Sequence, residues 1–128
     1  MKALSAISIL ASVLVVSGCS NPPEEFGTRV EERDRIENAL GIECENRGQG
    51  RFRCDWQINI WSPSSSAATS VTISKESASV DRVKQLSYVY GFSDEQVENV
   101  VTSDVDLEIA GSFRLRNLRQ QYRIDETP

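Results

Sequence analysis

The side chains able to do chemistry in this 128-residue chain are bounded first by a gap, since it contains no histidine. The usual acid–base group near neutral pH, and the usual partner of a Ser or Cys nucleophile, are therefore missing. A Ser/Lys pair would need Lys75 or Lys84, and the serines around Lys75 lie in a stretch that reads as a solvated turn. Asp104, Asp106 and Glu108 offer oxygens for calcium, but the fuller donor set and the turn glycine of an EF-hand are absent, so they read as a solvated strand face. Gly48-Gln49-Gly50 is too short to cradle a phosphate and reads as a hairpin turn. No catalytic residue, metal ligand or cofactor is assigned, and the chain reads as non-enzymatic. Arg114, Arg116, Arg119 and Arg123 form a basic run with no acid between Ser112 and Arg123. Such a run could meet an acidic partner or lipid phosphate; a solvated face, or pairing with an acidic first helix, is the reading the sequence favours.

The remaining reactive side chains are the cysteines, and the first of them stands in a distinctive setting. Lys2 precedes an apolar run from Ala3 to Val16, which Ser17-Gly18-Cys19 closes. The run is shorter than the roughly 20 apolar residues of a membrane-spanning helix, and its ends have the layout of a secretory signal. Val16-Ser17-Gly18-Cys19 resembles the lipobox of bacterial lipoproteins, with Val16 where the family prefers Leu. The resemblance covers residues 1–20 only. It implies removal of residues 1–18 and acylation of Cys19, with anchoring by tens of buried methylenes at ~0.8 kcal/mol each. Ser20, in the place where Asp would retain the protein at the inner membrane, implies the outer membrane in a Gram-negative host, with the folded part facing the periplasm.

Lipid on Cys19 leaves Cys44 and Cys54 as an even pair in an oxidising compartment, where a disulfide is the expected state. A metal site would need further ligands, and the spacing is not the Cys-x-x-Cys of a redox pair. Setting Cys44 opposite Cys54 in a hairpin centres the turn on Gln49, between two glycines. It also sets Glu45 against Arg53 favourably and Glu43 against Asp55 less so.

The elements that position these groups follow from periodicity. Removal of the signal leaves 110 residues, Cys19 to Pro128, with 13 of the 14 basic residues against 19 acids. That is one domain of modest core, too acidic for a nucleic-acid binder. Residues 19–27 read as a lipidated tether, 28–124 as a single domain and 125–128 as a frayed tail. Thr28 to Leu40 is predicted helical, capped by Thr28 with Glu31 in a capping box, and Gly41 ends it. Phe52, Cys54, Trp56, Ile58 and Ile60 alternate with Arg51, Arg53, Asp55, Gln57 and Asn59, which predicts a half-buried strand with Trp56 in the core. Ser62 to Ser66 is a loop and Ala68 to Ser74 a third strand. Ser77 to Tyr90 and the segment from Ser93, with Gln96 closing a capping box and Phe92 stapling onto Val97, are helices. Val105, Leu107, Ile109, Gly111, Phe113 and Leu115 share one parity, as one long strand or as a hairpin breaking at Ala110-Gly111-Ser112. The change of parity at Leu118 and Tyr122 predicts a bulge or a final helical turn. Trp61 and Phe26 fall off the apolar faces and are candidates for exposed contacts.

The fold class expected is α+β: a small antiparallel sheet pinned by a hairpin disulfide, with about three helices. The expected role is that of a membrane-anchored, periplasm-facing lipoprotein, a non-catalytic binding or accessory protein of the cell envelope. Its partners would be the membrane, through Cys19, and another envelope protein, with Trp61, Arg114, Arg116 and Arg119 as contacts. The second class is an inhibitor or exclusion lipoprotein acting on a foreign hydrolase or mobile element.

Overall fold

The computed structural model describes residues 30–62 and 69–127. Along them run α1 (Glu31–Leu40), β1 (Cys44–Gly48), β2 (Arg51–Cys54), β3 (Ile58–Trp61), β4 (Ser70–Ser74), α2 (Val80–Tyr88), α3 (Asp94–Val101), β5 (Leu107–Ala110), β6 (Phe113–Asn117) and β7 (Gln121–Glu126). The signal segment with Cys19, the tether with Phe26, the Thr28 cap, the loop residues 63–66 and Pro128 lie outside the described residues.

The α+β class holds, with three helices and a seven-stranded antiparallel sheet in the order β1-β2-β3-β4-β7-β6-β5. Two meanders, β1 to β4 and β5 to β7, meet at the β4–β7 pair, and α2 and α3 occupy the crossover between them. One face of the sheet contributes Phe52, Cys54, Ile58, Ile60, Val71, Ile73, Leu115 and Ile124 to the core. All three helices pack their apolar stripes into that same cluster, through Ile36 of α1, Val83 and Leu86 of α2, and Val97 and Val100 of α3. The other face of the sheet carries no helix among the described residues.

Cys44 and Cys54 are directly paired across β1 and β2 and joined by a disulfide. Glu45 faces Arg53 as expected, but the register shifts between Asn46 and Gly48, so that Gly48 pairs with Arg51. The turn therefore centres on Gln49-Gly50, with φ of 58° and 78°, the left-handed pair a type I′ hairpin needs. At the Glu43–Asp55 junction the Asp55 carboxylate accepts a hydrogen bond from the Glu43 backbone N–H at 3.1 Å, a contact that offsets the unfavourable pairing of like charges.

Several sequence expectations are corrected, and the choice left open over residues 104–116, one long strand or a hairpin, falls to the hairpin. Residues 51–61 form two strands, not one, folding back through Asp55-Trp56-Gln57 so that Cys54 pairs with Ile58 and Phe52 with Ile60. A three-residue turn keeps even positions opposite even positions, so the alternation runs unbroken through a reversal of the chain. Trp56 leaves the strand at φ 66° and lies half-buried in the turn, with the Arg82 guanidinium 4.8 Å from its ring centroid. The segment 107–117 is a hairpin about Gly111-Ser112, in which Ile109 pairs with Arg114 and Leu107 with Arg116. Here the turn has two residues and the parity inverts: Phe113 and Leu115 keep to the helix side while Leu107 and Ile109 go to the other. The parity change near Tyr122 is neither a bulge nor a helical turn; it is a further hairpin into β7, which continues through Asp125 and Glu126 where a frayed tail was expected.

Helix ends follow local chemistry. Val30 stands at the α1 N-cap position without a side-chain cap, and Glu31, Glu32 and Asp34 occupy the first turn, where the helix dipole favours acids. Ser79 accepts from the Arg82 N–H at the start of α2, and Ser93 and Gln96 form the expected capping box of α3. Side chains also reach both edges of the sheet. The Cys44 N–H on β1 donates to the Glu37 carboxylate at 2.8 Å, and the Gln96 amide donates to the Ile109 carbonyl on β5 at 2.7 Å.

Candidate functional site

The register fixes what the uncovered face of the sheet presents. Residues opposite one another in an antiparallel pair share a face. One rung therefore runs Arg51, Trp61, Ser70, Asp125, Arg114, Ile109 across β2, β3, β4, β7, β6 and β5. The next runs Arg53, Asn59, Thr72, Arg123, Arg116, Leu107 across the same strands. Adjacent strands lie about 4.8 Å apart, so each rung is about 24 Å wide.

Apolar side chains stand open at both ends of this surface. Trp61 is 43% exposed, Leu107 43% and Ile109 53%. Between Trp61 and the middle of the face is a depression of about 390 Å³, lined by Trp61, Ser70, Arg114, Arg123, Asp125 and Glu126 among others. Its floor is charged. Asp125 is only 8% exposed and accepts from Arg114 Nε at 2.7 Å, with Arg116 at 3.6 Å and Arg123 at 3.8 Å from its other oxygen. The Arg123 Nε is buried with no hydrogen-bond partner among the described residues.

The basic run of the sequence is thus divided by the fold. Arg114, Arg116 and Arg123 converge on one carboxylate contributed by β7, on the side of the sheet away from α1, so the pairing with an acidic first helix does not form. Arg119 sits apart in the β6–β7 turn, beside Lys75, Glu76 and Gln120. Trp61, Arg114 and Arg116 come together on the face, and Arg51, Asp125, Leu107 and Ile109 join them although sequence alternation gave no reason to name them. The missed signal lay in the turn: a glycine before Ser112, at φ 60°, permits a two-residue connection that turns Leu107 and Ile109 outward.

On the helix side the one strongly shifted group among the described residues is Tyr90, whose hydroxyl donates to the Glu32 carboxylate at 3.0 Å. Burial, then the Glu32 charge, pushes its phenol far above the ordinary range, so it is a locked hydrogen-bond donor and not a proton carrier. Asp104, Asp106 and Glu108 do not converge: Asp104 accepts from Asn117 and Glu108 from Asn99. Among the described residues there is no cluster of His, Cys, Asp and Glu able to hold a metal, and no helix long and apolar enough to cross a membrane. What the arrangement offers chemically is recognition, a broad surface of guanidinium donors bordered by apolar side chains. No protein-family profile matches the chain, and neither the curated proteins nor the solved structures give a match.

Proposed function

We propose that the protein is a lipid-anchored, non-catalytic accessory protein of the cell envelope that holds the uncovered face of its sheet against another envelope protein. The observation that carries this reading is the exposure of Trp61, Leu107 and Ile109 around paired arginines on the face opposite all three helices. Aromatic residues and arginine are the side chains enriched in protein–protein interfaces, and exposed apolar groups gathered on one face favour contact over solvation. The lipobox-like Val16-Ser17-Gly18-Cys19 supports the anchor, and the Cys44–Cys54 disulfide fits an oxidising compartment. A second reading, inhibition of a foreign hydrolase or exclusion of a mobile element, would use the same face on a different partner.

Two measurements separate anchor from contact. Palmitate labelling should be incorporated by the wild type and lost in Cys19→Ala, which should also leave the membrane fraction; labelling of the variant would sink the anchor. A photo-crosslinking residue at position 61 or 109 should trap one discrete envelope protein in intact cells, while the same residue at Glu95 on α3 should not. Equal trapping from both sides of the sheet, or none from the face, would remove the docking role.

A further inference from the structure

We infer that the segment bound by this face is acidic: a stretch of protein bearing carboxylates, taken by the guanidiniums of the two rungs while Trp61 and Ile109 grip apolar neighbours at either end. This rests on the docking role proposed above and specifies its chemistry.

The charge of the molecule is partitioned by the sheet. The three helices carry eight acids, Glu31, Glu32, Asp34, Glu37, Asp81, Asp94, Glu95 and Glu98, against four bases. On the uncovered face, Glu43, Glu45 and Asp55 gather with Arg47 and Arg53 at the β1 end. Beyond that end, the two rungs hold Arg51, Arg114, Arg116 and Arg123 against Asp125 alone. A chain of net charge −5 thus presents a locally cationic surface. That combination repels a generic acidic protein from the helix side and steers one onto the sheet.

Asp125 indicates what these guanidiniums take. Each guanidinium has five N–H donors, whereas one carboxylate has about four lone-pair sites. Only Arg114 is in close contact, at 2.7 Å; Arg116 and Arg123 stand back at 3.6 and 3.8 Å, and Arg51 makes no ion pair among the described residues. Asp125 therefore holds the cluster together without saturating it, and the unused donors can take further carboxylates in the bidentate manner that arginine favours.

A protein suits the surface better than a lipid headgroup does. Both lysines of the described residues lie off the face, Lys75 over the Tyr122 ring and Lys84 paired with Glu98. The face reads with arginine and tryptophan, the residues that dominate binding energy at protein interfaces. Arg114, Arg116 and Arg123 are half-buried between the apolar ends, and Arg51 stands exposed beyond Trp61. Trp61 and Ile109 lie four strand spacings apart, about 19 Å, which about six extended residues would span.

The test uses the full chain in phosphatidylcholine nanodiscs, with poly-L-glutamate as probe and poly-L-glutamine as its neutral control. Poly-L-glutamate should bind with an affinity that falls as salt rises, and should change Trp61 fluorescence, a change that Trp61→Phe abolishes. Arg51→Gln with Arg116→Gln, which leaves the Arg114–Asp125 pair in place, should weaken binding about tenfold. Equal binding of the neutral control, or undiminished binding by the double variant, would overturn the inference. So would a Trp61 response to phosphatidylglycerol discs without one to poly-L-glutamate, which would make the membrane the occupant. Crosslinks from positions 61 and 109 that persist when poly-L-glutamate fails to bind would leave the docking face standing and reject only its acidic partner.

Discussion

At the scale of single residues, the informative side chains are charged or phenolic groups placed where water is scarce. Asp125 and Arg114 form the closest ion pair of the uncovered face, with the Asp125 side chain 11% exposed and the Arg114 side chain 33% exposed. Partial exposure screens the pair, so its value is that of a charge-assisted hydrogen bond and not of a deeply buried salt bridge. Asp125→Asn should therefore lower unfolding stability by about 1–3 kcal/mol in urea denaturation. Combined with Arg114→Gln, it should cost less than the sum of the single losses, as expected for groups in contact. Tyr90, Tyr88 and Tyr122 are the three tyrosines of the chain, and all are shifted upward: Tyr90 and Tyr122 chiefly by burial, Tyr88 chiefly by its hydrogen bond to Asp94. A phenol whose proton is held more tightly in the folded state supports stability fully below its unfolded value near 10 and loses that support as pH rises above it. Stability in urea should thus decline above about pH 10, less steeply in Tyr90→Phe, and tyrosinate absorbance in the folded protein should develop later than in the unfolded chain.

At the scale of elements, the hairpins decide both stability and what the sequence reveals. The Cys44–Cys54 bridge closes a short loop, and in the chain-entropy account it restricts the unfolded chain by about 2–3 kcal/mol. Cys44→Ser with Cys54→Ser should lose that amount in urea, and a loss well below 1 kcal/mol would show that the β1–β2 turn sets the pairing unaided. The disulfide register, the Ser93–Gln96 capping box of α3 and the apolar faces of β2, β3 and β4 were legible, because each is written in neighbouring residues. The number of strands was not. Turn length alone determines whether an alternating pattern keeps or exchanges its faces, and the two cases read alike along the chain. At Asp55-Trp56-Gln57 three turn residues preserve parity and conceal a reversal. At Gly111-Ser112 two residues invert it, so that Leu107 and Ile109, which alternate in step with Phe113 and Leu115, end on the opposite surface. A direct check compares two truncations. Ile73→Ala, inside the core on β4, should cost about 2–5 kcal/mol, whereas Ile109→Ala should stay within about 0.5 kcal/mol.

At the scale of the whole molecule, the sheet divides a helix-covered acidic half from an uncovered, arginine-bearing half, and the anchor proposed at Cys19 would limit both to the membrane surface. The candidate site is not contributed by one element alone. Trp61 comes from the first meander, while Arg114, Arg116, Asp125, Leu107 and Ile109 come from the second, so the surface exists only once β4 and β7 have joined. Sequence reading could name Trp61 and the arginines as exposed candidates, but their assembly depends on that distant pairing, which no local signal encodes. The β1 and β5 margins add a further constraint. With Glu37 bonded to the Cys44 N–H and Gln96 to the Ile109 carbonyl, neither border offers an uninterrupted row of backbone groups to an incoming strand. The sheet is thereby finite. An added eighth strand would have to displace a side-chain bond at either margin, which favours the broadside recognition proposed above. On the lipid-anchored reading proposed above, copies crowded at a membrane would then be held apart by their own sheet margins and not seed fibrils through them.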